Sequence, residues 1–387
     1  ARAWMDSSDA ADWSVLYRSD TRAIARRISL PGYVFDRRSF WLDHSGQYPL
    51  VNAIAHRGAR LHPLVHENVS TIVEQKFTTR LSISRDFVLS DHRVNGEPAL
   101  PASASLEMAL VTARLAAPHR EIILKDIIWL NLATPDSDGK LDLAISLLPE
   151  PAYAVHPVTR DSLRFNLYTE PHKPVSVHNK AIDGQVDNSR ITLLSSGLVI
   201  PVDPTVPVDP TITERIDIDD VQARLSHTRT GDFWYQHKET IGLDCRPLFR
   251  GLQQIAWNPH EALAWLQCRA EPADFLLHPA LLDSAMQAAF VLIESCFPGA
   301  ADKLALPASL VELRFIKPLP ENCLAYVTWA SGRAPGSTQP DLLEVDVIVM
   351  AADGSVCVEL KQFGVETSYF SASPHATGND FKAKEMQ

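Results

Sequence analysis

His92-Arg93-Val94-Asn95-Gly96-Glu97-Pro98-Ala99-Leu100-Pro101 runs directly into the helix-like stretch Ala102 to Ala117. A histidine, a glycine and a proline at these offsets place an imidazole at a strand-to-helix junction, where backbone amides point at whatever binds there. The second half of the chain offers a partner in Leu277-His278-Pro279-Ala280-Leu281-Leu282-Asp283-Ser284-Ala285-Met286-Gln287. Asp283 and Gln287 are one helical turn apart and share a face. A base from one half and an acid from the other is the arrangement an elimination needs. On spacing alone Asp283 reads first as a first-turn carboxylate favoured by the helix dipole behind Pro279, and His92 as a turn histidine.

Working outward, Phe77, Leu81, Ile83, Phe87 and Leu89 alternate roughly with polar residues and predict a strand, while Leu106, Ala109, Leu110 and Ala113 fall at helical spacing. Strand-like runs follow at 122–130, 141–148, 163–169 and 191–200. Pro201 to Pro210 holds four prolines and predicts an extended connector. A second cycle then starts, with strands at 252–257 and 262–269, a helix over 279–296, and strands at 310–315, 325–330, 343–350 and 356–363. Strands and one buried helix, twice over, predict an internal structural repeat of α+β class.

Composition narrows the partners. A net charge of −11 argues against nucleic acid or an anionic membrane as the main partner. Nothing in the sequence is a continuous apolar run of membrane-spanning length. Cys245, Cys268, Cys296, Cys323 and Cys357 include no CxxC pair and are odd in number, which predicts reduced thiols in a cytoplasmic setting and no zinc site. No nucleotide, flavin or metal motif is present. The start at Ala1-Arg2-Ala3-Trp4 suggests a piece of a longer polypeptide.

At this point the chain resembles the dehydratase domains of modular polyketide synthases, most of all those of trans-acyltransferase systems. The resemblance rests on His62-Pro63-Leu64-Val65-His66-Glu67-Asn68, on HxxxGxxxxP at His92, Gly96 and Pro101, on Leu106-Glu107-Met108-Ala109, on DxxxQ at Asp283 and Gln287, and on the closing strand Gly354 to Phe363. Residues 29–35 and 40–42 are similar to the linker that precedes such domains. The resemblance implies a double hot-dog fold, two sheets each wrapped round one long helix. The expected boundaries are an upstream linker at 1–60, a first repeat at 61–200, a Pro-rich connector at 201–225, a second repeat at 226–370 and a tail at 371–387.

The resemblance also implies an activity: syn-type elimination of water from a 3-hydroxyacyl thioester on the phosphopantetheine of an acyl carrier protein, with no cofactor bound by the domain. His92 is then the base that takes the Cα proton and Asp283 the acid that protonates the departing hydroxyl. Gly96, Pro101 and Gln287 support them. Expected partners are the carrier protein, an adjacent ketosynthase and a second copy of the domain. His62, His66 and His278 read as structural, and Ser103 and Ser105 form no nucleophile elbow.

The chain departs from the family in two places. Where the family has Tyr-Gly-Pro beside the site, this sequence has Cys245-Arg246-Pro247, and where Gly and Tyr usually follow Pro101 it has Ala102 and Ser105. These changes predict a rebuilt pocket wall, with Arg246 and Arg250 as candidate phosphate contacts. They leave open a dehydratase with unusual acyl specificity, a double-bond isomerase or pyran-forming relative, and a non-dehydrating branching scaffold beside a ketosynthase.

Overall fold

The computed structural model describes residues 60–118, 120–149, 162–170, 191–202, 215–269, 274–330 and 342–366. The linker, most of the proline-rich segment and the tail expected from the sequence lie outside them. The described residues all belong to one compact unit.

The chain enters through β1 (Glu67–Asn68) and β2 (Gln75–Ser82), in which every second residue from Phe77 to Leu81 is buried. A single turn, α1 (Phe87–Ser90), leads into β3 (His92–Val94), β4 (Glu97–Pro98) and the long helix α2 (Ala102–Ala116). Phe87 and Leu89 therefore sit on a helical turn and not on the expected strand, because Asp86 folds back to accept the Ser82 amide at 2.7 Å and ends β2. Strands β5 (Glu121–Trp129), β6 (Lys140–Pro149), β7 (Leu163–Thr169) and β8 (Leu193–Val202) complete the first half.

The expected connector is only partly a connector. Pro201 and Val202 finish β8, and α3 (Ile218–Arg224) is helical, its first turn capped by Asp217. Next come β9 (His227–Thr230), α4 (Gly231–Thr240), β10 (Leu243–Cys245), β11 (Leu252–Trp257) and β12 (Glu261–Gln267). The second long helix, α5 (Pro279–Cys296), carries Pro279 at its first position, where a missing N–H costs nothing. β13 (Leu306–Phe315), β14 (Asn322–Trp329), β15 (Leu342–Ala351) and β16 (Val356–Glu366) close the fold.

Each half wraps an antiparallel sheet round its own helix, as a double hot-dog requires. The two sheets are not separate, however. β5 pairs with β13, Leu124 opposite Leu313 and Ile127 opposite Leu310, so the described strands form one continuous thirteen-stranded sheet. α2 and α5 pack on one another inside it, and one apolar core runs from Leu64 to Val365 through both halves. Fifteen consecutive residues of α5, Pro279 to Ile293, are buried, so the helix is enclosed all round rather than along one stripe, with Asp283, Ser284 and Gln287 among the enclosed residues. A small second sheet, β10-β3-β4, staples the halves together with Cys245 opposite His92. No described helix is long and apolar enough to cross a membrane.

Candidate active site

The offsets in the His92 motif have a geometric reason. Asn95 (φ 52°) and Gly96 (φ 82°) form a two-residue hairpin between β3 and β4, both in the left-handed region that Asn and Gly tolerate best. The hairpin brings Ala99 back onto His92. The Ala99 amide donates to the His92 carbonyl at 3.1 Å, and the His92 Nδ1 donates to the Ala99 carbonyl at 2.8 Å. Because a carbonyl only accepts, Nδ1 carries a hydrogen, and in the neutral ring the free lone pair belongs to Nε2. Pro101 then caps α2 in an extended conformation and starts the helix. Phe249 packs against the imidazole at 5.4 Å between ring centroids.

Asp283 approaches from the other half. It sits in the second turn of α5, only 9% exposed, and burial pushes its carboxyl up from the usual carboxylate range. His92 and the Gln287 hydrogen bond oppose that rise. Gln287 Nε2 donates to Asp283 Oδ2 at 2.6 Å and to Cys245 Sγ at 3.4 Å, while its Oε1 accepts from the Trp234 indole at 3.0 Å. Sequence reading missed Trp234. The run Phe233-Trp234-Tyr235 just ahead of the Cys245 loop was its signal.

His92, Pro101, Asp283 and Gln287 line one cavity of about 640 Å³, walled largely by Leu100, Leu132, Leu167, Leu194, Met286 and Phe290. Ala102 and Ser105 are in its wall, with the Ser105 hydroxyl accepting from the Trp129 indole at 2.8 Å. Gly96 lies in the hairpin turn and not in the wall.

The Cys245-Arg246-Pro247 expectation needs correction. None of the three lines the cavity. Cys245 is buried beneath Gln287, and burial pushes its thiol up, away from the reactive thiolate. Arg246 turns outward with 47% of its side chain exposed, 3.7 Å from Asp244, because its amide is tied to the Asp91 carbonyl at 2.8 Å. Pro247 opens a short 3₁₀ turn on the surface side of the loop. Arg250 is outside the cavity lining as well; its Nε donates to the Cys245 carbonyl at 2.5 Å and its guanidinium lies 3.7 Å from Glu239.

Glu107 sets how the halves meet. Fully buried on α2, it accepts from the amides of Leu276 and Leu277 at 2.8 and 2.7 Å and lies 3.0 Å from His62 Nε2. It thus holds the entry to α5 against α2. His278, next in the chain, is packed among Phe87 and Phe275, and burial lowers it to about 4, so it stays neutral. His66 donates from Nε2 to the Pro63 carbonyl at 3.0 Å and accepts at Nδ1 from the Arg80 amide at 3.2 Å, so its tautomer is fixed from both sides.

The family comparisons agree with this geometry. Residues 62–169 match the model described as polyketide synthase dehydratase domain, and residues 215–369 match the one described as polyketide synthase dehydratase N-terminal domain. Polyketide synthase PksM of Bacillus subtilis is 29% identical over 93% of this chain, and PksN of the same organism 28% over 90%. The chain spans only 8% and 6% of those proteins. Among solved structures, a trans-AT PKS dehydratase domain from Brevibacillus brevis is 25% identical, with a TM-score of 0.65 over 80% of this chain and 99% of that one. The dehydratase domain from the CurF module of curacin polyketide synthase shares the fold at 19% identity and a TM-score of 0.63, over 79% of this chain and 99% of that one. With both halves matched by dehydratase models and the fold reproduced over the described residues, the chain belongs to the polyketide synthase dehydratase family.

Proposed function

We propose that this domain removes water from a 3-hydroxyacyl thioester carried on the phosphopantetheine arm of an acyl carrier protein, giving an α,β-unsaturated thioester. The observation that carries the reading is the meeting of His92 from one half and a burial-raised Asp283 from the other in one apolar cavity. His92 Nε2 takes the Cα proton. As the Cβ–O bond breaks, Asp283 gives its proton to the departing hydroxyl, which leaves as water, and the electron pair of the C–H bond becomes the new double bond. Proton exchange with solvent then returns His92 to its neutral form and Asp283 to its protonated one. The first amides of α2, beside Ala102 in the cavity wall, supply a dipole end for the thioester carbonyl as negative charge develops on it. The chemistry needs no metal or redox cofactor. The apolar wall suits an acyl chain with a hydrocarbon body.

The scaffold reading drew its support from the Cys245-Arg246 substitution, and neither residue is in the cavity lining. Acyl carrier protein and the neighbouring synthase domains remain the partners we assign. Incubation of the domain with a panel of 3-hydroxyacyl thioesters on carrier protein, followed by mass spectrometry, tests the proposal. Loss of one water from at least one substrate is expected, and a folded wild-type domain inert toward the whole panel would sink it.

A further inference from the structure

The buried amide of Gln287 can face Asp283 in two ways with opposite chemical effects. Its nitrogen donates and favours the carboxylate, whereas its oxygen accepts and favours the protonated acid. Trp234 decides between them. The indole Nε1 is a donor only, and its 3.0 Å hydrogen bond commits the amide oxygen of Gln287. Both amide protons are thereby turned to Asp283 Oδ2 and Cys245 Sγ. Trp234 is itself fully buried and held from the far side. Lys238, one turn along α4, lies 4.4 Å from the centre of the Trp234 ring and pairs with Glu294 of α5, seven residues beyond Gln287. Two contacts along one face of α4 thus seat it on one face of α5.

We propose that Trp234 is a positioning residue for dehydration: it locks the Gln287 amide so that Asp283 Oδ2 is always an acceptor and the transferable proton is carried on Oδ1. This rests on the assignment of Asp283 as general acid. When the Oδ1 proton passes to the leaving hydroxyl, the carboxylate left behind keeps the Gln287 N–H, a hydrogen bond that strengthens as charge appears. The other titratable groups facing Asp283 are His92 from β3, Cys245 from β10 and Tyr235 from α4. Cys245 and Tyr235 are held neutral by burial, so neither takes over this task.

Trp234→Phe keeps an aromatic ring under Lys238 while removing the indole N–H together with one ring's worth of packing. We expect kcat to fall about tenfold, the value of one buried hydrogen bond, with KM for the acyl-carrier substrate unchanged. The basic limb of the kcat–pH profile should move to higher pH, because a freed Gln287 can turn its oxygen to Asp283 and hold the proton there. In a Gln287→Leu background the same substitution should do nothing further. A wild-type kcat and pH profile in Trp234→Phe, or an equal loss in the Gln287→Leu background, would overturn the inference. Independently of any variant, the Trp234 indole N–H in ¹⁵N-tryptophan-labelled wild-type domain should resist solvent exchange, and rapid exchange would equally overturn it. Asp283→Asn and His92→Ala measured alongside keep the two claims apart. If either retains wild-type water loss, the assignment of the site fails. If both are inactive and Trp234→Phe is not impaired, only the role of Trp234 falls.

Discussion

Asp283 carries opposing demands at the scale of one residue. A carboxyl buried among Leu282, Met286 and Phe290 resists ionisation, which suits a proton donor and costs stability. Its folded pKa lies above the unfolded value, near 3.9, so the folded state binds the proton more tightly. Stability is therefore greatest below the unfolded pKa, declines as pH rises toward the folded one, and stays lowered above it. Asp283→Asn, which still accepts from Gln287, should melt higher than the wild type at neutral pH and lose that advantage around pH 4, while water loss falls by about 10² to 10⁴. Thermal melts across pH check the first part, and an unchanged or lower melting temperature at neutral pH would contradict it. Gly96 shows a different economy. A Cβ there meets nothing within 4 Å, but φ of 82° strains any other residue. Gly96→Ala should cost about 1–2 kcal/mol in chemical denaturation and, through the Ala99 clasp on His92, lower activity more than that loss of stability alone explains.

At the scale of elements, α3 is bound to the sheet by one polar knot. Glu261 on β12 accepts from Arg224 Nε at 2.7 Å and from Tyr326 at 2.6 Å, and the Arg224 hydrogen bond holds its carboxyl down to about 2. The contribution is present above the unfolded glutamate pKa, near 4.3, and is lost as pH falls toward about 2. Glu261→Gln should thus cost about 1–3 kcal/mol at neutral pH and nothing at the acid end, as urea titrations at the two pH values will show. Elements with a clear period were legible in the sequence. The strands Leu163–Thr169 and Leu252–Trp257 and the helix Pro279–Cys296 lie where alternation and helical spacing place them. α4 was not legible, because the face it buries includes Lys238 and its other residues include Asp232, Gln236 and Glu239, so no apolar stripe marks it. β3 and β10 were too short for any period to register, and only their pairing across 150 residues of sequence gives them meaning. For the site, the resemblance pointed to His92, Asp283 and Gln287, and the structure brings them to one cavity. It could not show that the Cys245 loop faces away, since the direction of Arg246 is set by a backbone bond to Asp91 from the other half.

For the whole molecule, His92 and Asp283, the pair we propose as base and acid, meet only because two repeats share one sheet, one core and one staple. Gly242 is a critical point in that staple. Its φ is 100°, its carbonyl accepts from the Asn95 amide at 2.7 Å, and a Cβ there would come within 2.3 Å of Asn95 Oδ1. Gly242→Ala should destabilise by about 1–3 kcal/mol from strain and contact and reduce water loss beyond what the lost folded fraction explains, because β10 and β3 bring the halves to register beside His92. The central claim is that one base and one acid from opposite halves act as a unit. The most direct test compares water loss from a carrier-bound 3-hydroxyacyl substrate by His92→Ala, Asp283→Asn and the double variant. The account predicts that each single variant loses nearly all activity and that the double is no slower than the worse single. Substantial water loss in either single variant, or losses that multiply in the double, would contradict it.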